Sequence, residues 1–529
     1  MDEEFSMEDP TQLLEAASDF THYPGVLNDA AARDFLNRFP LPAIINALQT
    51  KFDVPGLENT LTACLERLFK TKFGASLIPQ YMPFVQVGLQ ADSQAVRSLA
   101  CKTVTCLLEE ADNDTDVAAR LITEYNVYPL LLDCLVNGNE QVAAAAMDAI
   151  KKLADSPKGM EIIFPSEREG ATDLRTLALQ CSSLGRVRVM ALVVKLFSVS
   201  RSAASTIYNL NLLNLLEAEI TNADDTLVTL SVLELLYELA EIEHSTEFFS
   251  KTNLLQLLSS IISNNSMEAI LRSRSVMIIG RLLSKEITYS FIDESCLRTV
   301  ISSIDGRLKS LESSDRDECE TALEALGYIG MSIPGAALLL SGSSPVARHV
   351  IHAAFDRQGP KGHGKQLAAL HALGNICGET RSENNIILNS EAEENLRRLV
   401  YEVASRSLKF TPSGLFLSVL QQDSEIRLAG YRMISGLVAR SWCLMEICSK
   451  QEIIQMVTDP STETTKIGME ARYNCCKAIH KALMQSSKLS VDPALAAIDA
   501  KLQEAIGMGP YLGKRHAEAQ PVVMTAERF

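Results

Sequence analysis

Two stretches of this chain are near copies of one another: ETALEALGYIG (Glu320 to Gly330) and LAALHALGNIC (Leu367 to Cys377). They align at an offset of 47, pairing Ala322 with Ala369, Leu323 with Leu370, Ala325 with Ala372, Leu326 with Leu373, Gly327 with Gly374 and Ile329 with Ile376. Apolar residues at i, i+3 and i+4, with a small residue one turn earlier, mark a helix packed closely on one side. A recurrence of that length leaves room for one partner helix and two short turns, which is the size of a HEAT or armadillo unit.

Followed in both directions, the pair Leu326/Ile329 extends into a ladder. Its rungs are Leu65/Leu68, Val104/Leu107, Ile150/Leu153, Val194/Phe197, Leu236/Leu239, Ile279/Leu282, Leu326/Ile329, Leu373/Ile376, Ile434/Leu437 and Cys476/Ile479. They stand 39 to 47 residues apart with one gap of 61. The spacing predicts an all-α chain, a right-handed α-solenoid of about ten HEAT- or armadillo-like repeats. The wide gap requires an insertion at residues 379–424. The expected organisation is a flexible acidic terminus at 1–8, repeats over 9–378, the insertion, C-terminal repeats with a closing helix over 425–511, and a mobile tail at 512–529.

Composition suits thin helical layers: 47% of residues are hydrophobic but only 6% aromatic, with one tryptophan. A net charge of −17 opposes binding to nucleic acid or anionic lipid and favours a basic partner. Twelve cysteines lie scattered without a CxxC, and Cys101, Cys106, Cys319 and Cys377 occupy small-core-residue positions, as in a reducing compartment. The opening MDEEFSMEDP lacks a signal-like apolar region, and no apolar run approaches the ~18 residues of a membrane span. The expectation is a cytosolic or nuclear protein, monomeric on its own, with neither nucleic acid nor membrane as partner.

In chain order, Asp9-Pro10 reads as an N-cap followed by the first helical residue. Leu41 to Phe69 reads as a helix pair. Pro79 to Glu110 reads as a complete unit, with a turn at Ala91-Asp92-Ser93 and a second helix from Gln94. Val96-Arg97 recurs as Val187-Arg188 and as Ile426-Arg427, and each arginine is expected to reach acidic groups or carbonyls of an adjacent turn. Ser156-Pro157-Lys158-Gly159 punctuates two helices. Asp492-Pro493 opens a last helix that is expected to stop at Gly507.

Chemistry-bearing patterns are sparse. Gly359 to Gln366 (GPKGHGKQ) resembles a phosphate-cradling loop, but Gln366 stands where the magnesium-binding hydroxyl belongs and HVIHAAF before it reads as helix rather than strand. His349 and His352 lie one turn apart near His363, with Asp356 as the one nearby acid, and read as surface histidines. No catalytic, cofactor or metal residues are assigned, and the expectation is a non-enzyme. A repeat array offers a surface instead. Two positions before and after the first residue of each rung face outward, about 200° from the core. This column comprises Lys102, Asp148, Lys152, Glu234, Glu238, Arg281, Glu324, Tyr328, His371, Asn375 and Arg432, the candidate partner-binding residues on the expected concave side.

The C-terminal third carries a more specific likeness. LFLSVLQQDSEIRLAGYRMISGLVARSW within Leu415 to Asp459, Glu470-Ala471-Arg472-Tyr473 before Cys475 to Leu483, and Gly509-Pro510-Tyr511 resemble the 26S proteasome non-ATPase regulatory subunit 5 family, as does CLERLF at Cys64 to Phe69. The resemblance implies a chaperone for assembly of the proteasome regulatory-particle base. Such a protein holds the C-terminal domain of an AAA+ ATPase subunit and blocks premature docking on the core particle, without catalysis. Trp442, Tyr473 and Tyr511 match the family patches and read as packing residues. The alternative is another armadillo- or HEAT-type adaptor, in transport or signalling. Nuclear import adaptors resemble this architecture but use a tryptophan array, which a single Trp442 does not supply.

Overall fold

The structure, a computed structural model, describes residues 10–25, 28–50, 54–110, 115–165, 173–222, 225–311, 316–356, 362–486 and 492–511. Every regular element among them is helical. The expected acidic terminus at 1–8, the Asp9 cap, residues 359–361 of the glycine-rich loop and the tail at 512–529 lie outside the described residues.

Each rung falls in a different helix. These are α1 (Leu57–Phe69), α2 (Gln94–Glu110), α3 (Glu140–Leu153), α4 (Ser183–Val199), α5 (Thr226–Glu241), α6 (Ala269–Leu283), α7 (Arg316–Ile329), α8 (His363–Ile376), α9 (Ser424–Leu437) and α10 (Lys466–Met484). All of the rung residues are buried, and most are fully inaccessible. The chain divides into two compact units, Met1–Phe248 and Phe249–Phe529. In the first, α1 to α5 pack in succession, and the helix Pro10–His22 flanks α1. In the second, α6 to α10 pack in succession, and the closing helix Pro493–Met508 lies against α10. Shorter helices pack on the ladder helix that follows them: Met82–Leu89 on α2, Val127–Asn137 on α3, Leu254–Ser263 on α6, Ala347–Phe355 on α8 and Pro412–Leu420 on α9. Each unit is a stack of paired helices, consistent with an α-solenoid.

Residues 379–424 hold two α-helices, Ser390–Arg406 and Pro412–Leu420, after a short 3-10 turn at Glu383–Asn385. The second is the ordinary partner of α9. The first is the surplus element, and it packs on both Ala347–Phe355 and Pro412–Leu420. The last helix runs one residue beyond the expected stop at Gly507, to Met508. Gly509 then adopts φ +80°, a left-handed conformation that glycine reaches without a Cβ penalty.

Small residues set the spacing of the ladder helices in the second unit. A Cβ placed on Gly280 of α6 would stand 2.9 Å from the Ala325 Cα of α7, and one on Gly327 of α7 would stand 2.9 Å from the Ala372 Cα of α8. Carbon atoms prefer about 3.5–4.0 Å, so these backbones meet with no side chain between them.

The exits from several ladder helices share one construction. Thr71, Ser156 and Ser332 sit three residues after the second rung residue of α1, α3 and α7, and each hydroxyl accepts from the backbone N–H of a glycine three further on, at 3.0, 3.0 and 3.2 Å. The same hydroxyls donate back to Leu68, Leu153 and Ile329 at 2.7, 3.4 and 3.3 Å. A Cβ on Gly74, Gly159 or Gly335 would overlap that same rung carbonyl. The turn therefore demands glycine sterically, although its φ is ordinary.

Arginines answer the carbonyls left open at helix ends. Arg188 donates through Nη1 to Leu135, Val136 and Gly138 O at 3.2, 3.2 and 2.7 Å, closing the helix Val127–Asn137. Arg97 reaches Asp133 of that helix at 2.5 Å, while Arg427 bonds Gln422 O at 2.9 Å and pairs with buried Glu463. Arg381 donates to Ile376 and Gly330 O at 2.6 and 3.0 Å, and Arg440 to Cys377 and Gly436 O at 2.9 Å each. Arg272 and Arg307 clasp the buried Glu318 from two sides, at 2.8 and 2.5 Å.

Replacing Gly327 by Ala should lower stability by about 1–3 kcal/mol, because the methyl group meets the Ala372 backbone and Cβ, neither of which can rotate aside. Replacing Gly306 by Ala, on an exposed helical site with nothing within 4 Å of the new methyl, should raise stability by about 0.5–1 kcal/mol. Urea unfolding midpoints of the two variants against the parent chain check both signs.

Candidate functional site

The column residues all sit on ladder helices, and none is buried. Asp148, Glu234, Glu238 and Glu324 are exposed, while Lys102, Lys152, Arg281, Tyr328, His371, Asn375 and Arg432 are half-buried. For Lys102, Arg281, Tyr328, His371 and Arg432 the half-burial reflects side chains lying across the groove to a neighbouring ladder helix. Lys102 of α2 pairs with Glu66 of α1 at 2.7 Å, and Glu238 of α5 with Lys195 of α4 at 2.9 Å. The Arg281 guanidinium of α6 lies 4.7 Å from the Tyr328 ring centroid of α7. Arg432 of α9 donates to His371 Nδ1 of α8 at 3.1 Å and pairs with Glu379 at 2.9 Å. Lys152 instead reaches Asp155 on its own chain segment at 3.3 Å. Asp148 and Asn375 are not drawn into any of these pairs.

Four participants were not singled out from the sequence: Glu66, Asp155, Lys195 and Glu379. On α4 the two-residue offset lands on Leu192 and Leu196, both fully buried, because this helix is packed on several sides by α3, α5 and its shorter neighbours. Lys195 at the next position carries the surface there. Inter-helix register, which one sequence does not display, decides which offset faces out.

The electrostatics of the surface follow from these pairings. Burial pushes the Glu66 carboxyl up, but hydrogen bonds and charge from Lys102 and Lys70 outweigh it and leave it below its usual value. Burial, and then the Glu320 carboxylate, hold the Glu324 carboxyl above its usual value. Burial, and then the Arg432 charge, push His371 down. Exposed ion pairs of this kind contribute about 0–1 kcal/mol each. A surface tied together so weakly can exchange its internal pairs for those of a partner at little cost.

Two other sequence features resolve into packing. The segment before the glycine-rich loop is the helix Ala347–Phe355, and Lys365 and Gln366 lie in the first turn of α8. Gln366 is buried, and its amide donates to Ala354 O at 3.1 Å. The carboxylate of Glu320 lies against Gly364, which places negative charge at the mouth of that turn. His349 bonds Asp305 at 2.9 Å, and Arg348 pairs with the same carboxylate. His352 is exposed; burial of part of the ring, with Arg406 and Arg348 nearby, lowers its pKa.

The C-terminal patches meet in space. Arg472, 1% exposed, donates to Val457 O at 2.7 Å and to Pro510 O at 3.4 Å. The Tyr473 hydroxyl donates to Ile506 O at 3.5 Å, and the Tyr511 hydroxyl bonds Glu470. The EARY and GPY segments thus form one latch that fixes the closing helix to α10. Trp442 packs beside Tyr401 with ring centroids 5.7 Å apart.

The family model described as proteasome non-ATPase 26S subunit matches residues 47–528. The chain is similar to 26S proteasome non-ATPase regulatory subunit 5 of Homo sapiens, at 21% identity over 419 residues, covering 78% of this chain and 79% of that protein. It is similar to the Bos taurus subunit of the same name at 21% identity over 419 residues, 78% of each chain. Among solved structures, an engineered protein aligns at 13% identity with a TM-score of 0.40, over 88% of this chain and 98% of that one. No helix among the described residues is long and apolar enough to cross a membrane.

The α8–α9 contact gives the surface a pH response. Arginine has no acceptor, so His371 Nδ1 must accept from Arg432 and the ring must be neutral. Because the folded pKa is depressed, stability is full above the unfolded value near 6.5 and falls as the pH drops through and below it. Melting temperatures recorded from pH 7.5 to 5.5 should decline for the parent chain, and the decline should be smaller for His371→Gln.

Proposed function

We propose, for a chain that belongs to the proteasome non-ATPase 26S subunit family, a non-catalytic role in assembly of the proteasome regulatory particle. In this reading the chain binds the C-terminal domain of an AAA+ ATPase subunit of the base and occludes it from the core particle until assembly is complete. In this reading each unit is a stretch of right-handed α-solenoid, about ten repeats in all, and the column residues of each unit, Lys102 to Glu238 and Arg281 to Arg432, are its partner-binding positions. The protein is monomeric before it binds, acts in the cytosol or nucleus, and uses neither nucleic acid nor membrane.

The observation that carries this reading is the family match from residue 47 to 528, together with relatives named as regulatory subunit 5 that align over most of their own length. Three physical points support it. The column holds exchangeable ion pairs rather than a reactive constellation, the net charge of −17 complements a basic partner surface, and paired helices present one side chain in every turn at fixed spacing.

Affinity purification of the tagged chain at low salt, with native gels and mass spectrometry of what accompanies it, tests the reading. ATPase subunits should be recovered as a small module without core-particle subunits. The double reversal Glu234→Lys with Glu238→Lys should weaken that recovery about tenfold, at an unchanged melting temperature. Transport or signalling proteins without any ATPase subunit would overturn it.

A further inference from the structure

A second surface lies in the first unit, beside α2 and clear of the column residue Lys102. The helix Met82–Leu89 crosses α2 where Gly88 meets Ala100; a Cβ on Gly88 would stand 3.1 Å from the Ala100 Cβ. This small-on-small crossing leaves the larger side chains around it standing apart. Between them and the helix Leu41–Thr50 opens a groove of about 370 Å³. Its floor is apolar and buried, formed by Leu65 and Phe69 of α1 and Leu99 of α2. Its mouth holds Phe84 and Val87, which are 40% and 58% exposed although large and hydrophobic.

The rim is acidic. Asp92 stands exposed in the turn before α2 and has no ion-pair partner among the described residues. Glu58 is oriented at the rim by the Ser93 hydroxyl, which donates to its carboxylate at 2.6 Å. An apolar trough with two carboxylates at its edge, on a chain of net charge −17, complements one kind of ligand. That ligand presents adjacent apolar anchors flanked by Lys or Arg. The volume lies near the lower end of the ~300–1,000 Å³ typical of ligand pockets, enough for the side-chain anchors of a helix that lies along the mouth.

We propose that the groove between Leu41–Thr50, Met82–Leu89 and α2 docks a basic amphipathic helical segment of a partner protein, its apolar face on Phe84 and Val87 and its cations on Asp92 and Glu58. Lys102 is not among the residues that line the groove; on α2 it is turned about 110° from the mean direction of Val96, Leu99, Ala100 and Thr103, so this site and the column can be occupied together. The proposal does not rest on the regulatory-particle reading.

The probe is a labelled amphipathic helical peptide with Leu and Phe at i and i+4 and Lys on its polar positions, titrated by fluorescence anisotropy into the full chain. A twin with Glu replacing every Lys is the control. The Lys peptide should bind at least about tenfold more tightly than its twin, and Val87→Glu and Asp92→Lys should each weaken it about tenfold or more. Both positions are exposed, so the variants should keep the parent melting temperature. Equal binding of the two peptides, absence of binding, or indifference to both substitutions would overturn the proposal. So would concentration-dependent dimerisation of the parent chain that Val87→Glu abolishes, since the groove would then seat a second copy.

Discussion

A ladder helix cannot bury its apolar face alone; it needs another ladder helix beside it. Everything else in each unit follows from that requirement. Neighbouring backbones must come close, so Gly280 and Gly327 stand where any larger residue would strike Ala325 or Ala372. Closely stacked helices also end inside the stack, away from water, where open carbonyls carry a desolvation penalty of roughly 1–3 kcal/mol apiece. Guanidinium groups resolve this. Arg188, Arg381 and Arg440 each serve two or more carbonyls with one planar, permanently charged fork, which a lysine ammonium would not match.

Much of this was readable from the chain because burial leaves a periodic trace. The rungs from Leu65/Leu68 to Cys476/Ile479, the start of α2 at Gln94 and the structural role of Arg97, Arg188 and Arg427 all come from repeating patterns, and repetition is what one sequence displays. The surplus length between residues 379 and 424 was visible as a spacing, but the helix Ser390–Arg406 that fills it was not, having no copy elsewhere. Arg381, Arg440 and the Arg272–Glu318–Arg307 cluster escaped for the same reason. Each joins segments whose contact depends on register, up to 63 positions apart for Arg440 and Cys377.

The surface was legible in part. The offset from a buried rung correctly places Lys102, Glu238 and Arg432 outside, and it fails on α4, where Leu192 and Leu196 are themselves interior. Which residues then touch is a property of neighbouring helices together. Lys102 with Glu66, and His371 with Arg432, are pairs that no single helix specifies. The C-terminal patches show the converse. EARY and GPY are separate patches in the sequence, and in space they are one fastening between α10 and the closing helix.

The threonine- or serine-to-glycine turns after α1, α3 and α7 have a wider consequence. Each welds a rung carbonyl near the end of one helix to the first turn of the next through a hydroxyl and a missing side chain, and the welds are buried or half-buried. The angle between successive helices at these exits is set internally, independent of whatever residues cover the outside. Side chains on the outer faces are thereby released from any duty to hold these helix exits, and can drift in sequence toward a different partner while the turns beneath them keep their form.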